Sequence, residues 1–187
     1  AQQIDQILFS GLMRVDLSMN PNRSHPIRRQ PVDPPDKSSG LPPSFTQGYY
    51  IPNDNPWQDP GGGILEEFYA LGLRSPHRAT YDSVTGDIWM GDVGQGEIEE
   101  ISILEKGGNY QWPYREGTRK TGATKPSPLI GTEKPPIYEY NHAVGNSVIG
   151  GFVYRGEKHA SSLGGKYIFG DHGVRNIWTL NPVNNEV

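Results

Sequence analysis

The sequence contains no cysteine, which excludes disulfides, thiolate metal sites and a cysteine nucleophile. It has no run approaching the ~18 apolar residues of a membrane-crossing helix, and its first residues lack a charged segment followed by an apolar one. No membrane span is therefore expected. Positive charge is not in excess either: 17 Lys and Arg stand against 21 Asp and Glu, for a formal charge of −4. A nucleic-acid-binding domain presents a basic face, so no nucleic-acid partner is expected, whereas a neutral ligand such as a sugar is compatible. There is no G-x-S-x-G, no HExxH, no P-loop and no dinucleotide-binding glycine pattern. The five histidines, His25, His77, His142, His159 and His172, include no i, i+4 pair that would build a zinc site. His142 and His172 stand apart because each lies where a strand-like run ends before a glycine.

What is abundant is punctuation. The 187 residues include 24 Gly and 17 Pro, which favours many turns and few long helices and points to an all-β chain. Ile4, Ile7 and Leu8 are spaced for a short initial helix that stops at Gly11. LMRVDLS then alternates as a strand, with Leu12, Met13, Val15 and Leu17 as its apolar positions. Residues 19–47 are proline-rich, without periodicity, and carry Arg23, Arg28 and Arg29; they read as a long solvated insertion. LEEFYALGL predicts a strand or irregular run rather than a helix. RATYD and DIWMGDV predict strands joined by SVTG, whose Gly86 suits a turn with positive φ. EEISIL predicts a third strand, with Ile101 and Ile103 alternating against Ser102. IYEYNH, VIGGFVYRG, KYIFGDH and NIWTL form a second group.

GDIWMGDVG at 86–94 returns as GKYIFGDHG at 165–173, an offset of 79 residues. That offset suits two β-propeller blades of ~40 residues, or one blade with insertions; a β-sandwich is the alternative. Asp92 and Asp171 share one repeat position and read as turn residues accepting backbone N–H bonds. Arg74, between Gly72 and Pro76, is either a rigid anion clamp or a buried arginine satisfying carbonyls. Gln95 and Gly96 form a loop whose carbonyls suit a hard cation such as calcium, with Glu97, Glu99 and Glu100 nearby.

YYIPNDNPW, FYALGLRSPHRATYDSVTGDIWMGDVGQGEIEEI, KGGNYQWPYREG, GGFVYRG and GKYIFGDHGVRNIW, in this order, resemble the glucose/sorbosone dehydrogenase family, to which the hedgehog-interacting protein propeller is related. The resemblance implies a six-bladed β-propeller that binds pyrroloquinoline quinone (PQQ) through calcium and oxidises an aldose sugar. It implies cofactor contacts from Arg74, Ser75, Gln95, Tyr140 and Arg175, and calcium contacts from Gln95, Gly96 and Glu97. Ser75 stands where the family usually has Asn, and Glu97 where it has Pro. The base histidine is expected upstream of Ala1 and a basic pair beyond Val187. The chain, 1–187, is thus expected to be about three to four central blades of one propeller, catalytically inactive in isolation. A non-catalytic propeller binding a protein or glycan is the alternative. Implied partners are a sugar, a cytochrome c or quinone electron acceptor, and the remaining blades, in a periplasmic or extracellular setting.

Overall fold

The computed structural model describes residues 4–5, 7–29 and 48–187. Among these residues the chain is all-β, apart from the four-residue helix α1 (Ala160–Leu163). In chain order the strands are β1 (Gly11–Met13), β2 (Ser24–His25), β3 (Ile51–Pro52), β4 (Phe68–Leu71), β5 (Pro76–Tyr81), β6 (Ile88–Asp92), β7 (Ile98–Leu104), β8 (Gly108–Asn109), β9 (Arg115–Glu116), β10 (Arg119–Lys120), β11 (Thr132–Glu133), β12 (Tyr138–Asn141), β13 (Val148–Val153), β14 (Tyr167–Asp171) and β15 (Ile177–Leu180).

β5, β6 and β7 run as an antiparallel meander, and β12 pairs with β7 to complete the order β12-β7-β6-β5. The same meander recurs as β13-β14-β15. The sequence repeat is the middle strand of each unit: β6 ends on Asp92 and β14 on Asp171. Each is preceded by a glycine at positive φ, Gly86 at 84° and Gly165 at 78°, which lets the chain turn where a side chain would be strained. A third sheet, β1-β4-β8-β11, mixes one antiparallel and two parallel pairings.

The two meanders press together through side chains that a period-2 pattern turns inward. Trp89 stacks on Tyr167 with centroids 4.5 Å apart, and Ile101, Tyr140, Val148, Phe169 and Leu180 close the cluster. Gly91 and Gly150 allow the backbones to meet there, since a Cβ on Gly150 would lie 2.9 Å from His77 O and 3.0 Å from Gly91 N. Ala70, Leu73, Met90, Leu104 and Tyr110 form a second core cluster, which takes in both β4 and β6.

Three sequence expectations are corrected. Ile4 and Asp5 form a turn, not a helix, because Ile4 O accepts Leu65 N at 2.6 Å instead of closing a helical bond; residues 1–3 and 6 lie outside the described set. Past Met13 the first strand ends, and Val15 and Leu17 are exposed. The Asp16 carboxylate takes Ser18 N, Asn20 N and Ser24 Oγ and bends the chain into a loop. Ser102 is buried along with Ile101, because a core cluster packs on each face of the sheet, Trp89 and Ile101 in one and Met90 and Leu104 in the other. Of the expected insertion, residues 30–47 lie outside the described set; residues 19–29 are turns plus β2.

Candidate functional site

At the Asp92 end of the four-stranded meander sheet, several loops are held by carboxylates instead of by strand partners. Gly72, at φ 79°, turns the chain out of β4 toward Arg74. Asp92 then accepts Arg74 N at 2.8 Å and Ser75 N at 2.6 Å. The Arg74 guanidinium reaches across this turn to Gln95 Oε1, from Nε at 3.1 Å and Nη2 at 2.8 Å, and to Val93 O from Nη1 at 2.9 Å. Its Cζ lies 5.8 Å from the centroid of the Trp112 ring. A guanidinium has five N–H donors, so two remain for a ligand. Arg74 thus satisfies a carbonyl, as one sequence reading has it, and keeps two N–H groups.

The Gln95–Ile98 loop wraps a second carboxylate. Glu116 Oε1 accepts the N–H groups of Gly96 at 2.8 Å, Glu97 at 2.9 Å and Ile98 at 3.1 Å. Burial pushes the Glu116 carboxyl up, but these backbone donors outweigh it and hold the group below the usual carboxylate range. Glu100 and Glu139 finish the row, cross-strand from Asp92 and from each other. Glu100 accepts Gly117 N at 2.6 Å, and Glu139 accepts Thr118 N and Oγ1, each at 2.7 Å.

Crowding like charges in a buried row shifts their protonation. Burial, followed by the Asp92 charge, pushes Glu100 up to about 8. Burial also raises Asp92 to about 6, against the Arg74 and Ser75 N–H groups and the Arg74 charge. Its repeat partner Asp171 goes the other way. Despite burial, it is held below the usual range by the N–H groups of Ser147, Val174 and Gly173 and the Tyr140 hydroxyl. Both aspartates accept backbone N–H bonds, as their shared repeat position suggests, yet only Asp92 abuts a second carboxylate.

The residues singled out from sequence do not all converge. Arg74, Ser75, Gln95, Gly96 and Glu97 form one contiguous surface. Tyr140 is only 5% exposed; its ring packs on Phe169 and Trp178, and its hydroxyl donates to Asp171 Oδ2 at 2.8 Å. Arg175 is exposed at φ 60° in the turn after β14, where it lines a cavity of about 420 Å³ with Arg78, Phe152 and Ile177. Sequence reasoning passed over Glu116 and Trp112, which no local signal marks, since each meets its loop partners from a separate segment.

The donor set suits the two implied groups unequally. For an anionic quinone, Arg74 has two N–H groups to give beside an aromatic face, which fits. For calcium, the Gln95 amide oxygen is committed to Arg74, Glu97 O accepts His142 N at 3.2 Å, and the Glu97 carboxylate pairs with Arg119. The backbone carbonyls of Gln95 and Gly96 carry no hydrogen bond from a described residue. No group of three or more His, Asp or Glu side chains among the described residues could hold a metal. Calcium takes 6–8 oxygen ligands, so here it would need most of them from the ligand and water.

Repeated antiparallel meanders with loops gathered at a strand end define the class as an all-β scaffold carrying a loop-built site. Comparison places it further. Residues 28–186 match the family described as glucose / sorbosone dehydrogenase, and the chain belongs to that family. It is 34% identical over 141 residues to the HIPL2 protein of Arabidopsis thaliana, covering 70% of this chain and 20% of that protein. It is 27% identical over 138 residues to the aldose sugar dehydrogenase YliI of Escherichia coli, covering 71% and 36%. Among solved structures, the apo form of the soluble aldose sugar dehydrogenase of E. coli superposes with a TM-score of 0.56 at 22% identity, over 73% of this chain and 39% of that one. This chain shares that fold. It spans about 20% of the length of HIPL1 and HIPL2, the first curated relatives it matches.

Proposed function

We propose that the chain forms central blades of a β-propeller whose Arg74–Gln95 face contributes to a PQQ site for aldose oxidation. The observation that carries this is the Arg74 fork, clamped by Gln95 Oε1 and Val93 O over Trp112, with two N–H groups left to meet anionic oxygens. Bound there, the quinone would supply the electron acceptor for sugar oxidation. This chain's own residues supply position: Asp92 fixes the Arg74 turn and Glu116 fixes the Gln95–Gly96 loop, whose carbonyls would complete a calcium shell. Ser75 offers a hydroxyl where a longer amide would reach further. The base and the other cations belong to blades outside this chain, as does contact with a cytochrome c or quinone acceptor. A periplasmic or extracellular location follows the same reading, and no described helix is long and apolar enough to cross a membrane.

The second reading is a non-catalytic propeller that binds a protein or glycan. It is favoured by the engagement of Glu97 with His142 and Arg119, which removes oxygens from a cation site.

Titration of the chain with PQQ, with and without calcium, separates the two. The Arg74→Ala variant is expected to bind ~10-fold more weakly or worse, the scale of lost charge-assisted bonds. Equal binding by wild type and variant, or no binding by either, sinks the quinone reading and leaves the second. Dye-linked glucose oxidation by the isolated chain is expected to be absent; activity would show that it holds its own base.

A further inference from the structure

Beside the Arg74 loop lies a carboxylate–histidine pair that the reading above does not use. Glu99, on β7, is fully buried. One oxygen, Oε2, accepts Val148 N at 2.9 Å and Gly94 N at 3.4 Å, so the carboxylate is fixed by backbone from two separate strand ends. The other, Oε1, lies 2.9 Å from His142 Nε2. A carboxylate already serving as a backbone acceptor takes the ring N–H as well. In the neutral ring the proton therefore sits on Nε2, and Nδ1 keeps its lone pair. No described residue donates to Nδ1, and the His142 side chain is 30% exposed.

The pair's position makes this more than a capped carboxylate. Glu97 O accepts His142 N at 3.2 Å, while Gln95, two residues earlier, holds Arg74. One short loop thus touches both groups. Beside the Arg74 N–H groups assigned to the quinone, its surroundings offer donors from the Gln95 amide, an aromatic face from Trp112 and an acceptor at His142 Nδ1. Mixed donors, an acceptor and a ring suit a neutral polyhydroxy compound; a purely anionic ligand would leave the acceptor unused.

We propose that His142, oriented by Glu99, is a hydroxyl-accepting residue of this face, taking a hydrogen bond from a sugar hydroxyl at Nδ1. The ligand class rests on the sugar reading above; the tautomer and the accessible Nδ1 do not.

The test is 15N histidine NMR of the chain during titration with D-glucose, with His142→Phe and His142→Gln alongside. The wild type is expected to show the Nε2–H tautomer and a glucose-dependent shift at Nδ1. His142→Phe should weaken glucose binding by ~3- to 10-fold, the worth of one hydrogen bond. His142→Gln, whose amide can both donate to Glu99 and accept a hydroxyl, should recover most of it. A merely structural ring would lower the melting temperature in the Phe variant without changing glucose affinity, and that result overturns the proposal while leaving the sugar reading intact. An Nδ1–H tautomer overturns it equally. The absence of any measurable glucose affinity in the wild type sinks both. Should His142→Phe not fold, the wild-type tautomer and its response to glucose still decide.

Discussion

Glu100→Gln is expected to stabilise the protein, and increasingly so as the pH rises. The Glu100 carboxyl is buried, accepts one N–H from Gly117, and stands cross-strand from Asp92 and Glu139. Its environment raises it from the ordinary 4.5 to about 8. The folded state therefore holds this proton more tightly than the unfolded chain, and between those two values stability falls as pH rises. Below the lower value both states are protonated and nothing is lost; above the upper one the whole penalty of a buried charge is present. The interval corresponds to about 5 kcal/mol at ~1.4 kcal/mol per tenfold, reduced to on the order of 3 by relaxation and water entry. Glutamine keeps the oxygen for Gly117 and gains an N–H that a neighbouring carboxylate can accept. Urea unfolding of both proteins from about pH 5 to about pH 9 reads the effect, because denaturant midpoints convert to free energies at each pH. The wild type should lose stability across this range, while Glu100→Gln should change much less. A difference between the two that stays constant with pH would refute the reasoning, since only an ionising Glu100 makes it grow.

Asp92→Ala leaves the Arg74 and Ser75 N–H groups without their acceptor and should cost ~2–4 kcal/mol, with faster tryptic cleavage after Arg74 as the local readout. Unchanged cleavage would mean the turn is held by something else. Gly150→Ala would push a methyl against His77 O, Arg78 O and Gly91 N, where backbone from β5 and β6 cannot yield. A loss of ~3 kcal/mol or more in denaturation midpoint is expected, and a loss under ~1 kcal/mol would show that the two meanders do not meet as closely as described.

Much of the secondary structure was legible because its causes are local. RATYD and DIWMGDV are short β-prone runs, EEISIL alternates with the period of a strand, and Gly86 marks a turn that favours a residue without a side chain. The GD repeat announced two equivalent strands for the same reason. The misreadings occurred where a distant partner outbid a local preference. Ile4 gives its carbonyl to Leu65, and Ser102 is buried because a core cluster covers each face of the sheet. Where the Tyr140 hydroxyl goes, to Asp171 in the core, was likewise invisible in the sequence, because Asp171 comes from another strand.

The sequence by itself determined the all-β class, the repeated unit, the family, and the prominence of Arg74 and Gln95, since composition, periodicity and motif order need no knowledge of which strands become neighbours. Only the tertiary structure decided that Glu116 threads the Gln95 loop, that buried Asp92 and Glu100 share one row with half-buried Glu139, and that Glu99 aims His142 at the same face. Those relations depend on which strands lie side by side, and in a buried row the strength and even the sign of each charge interaction follow from that adjacency.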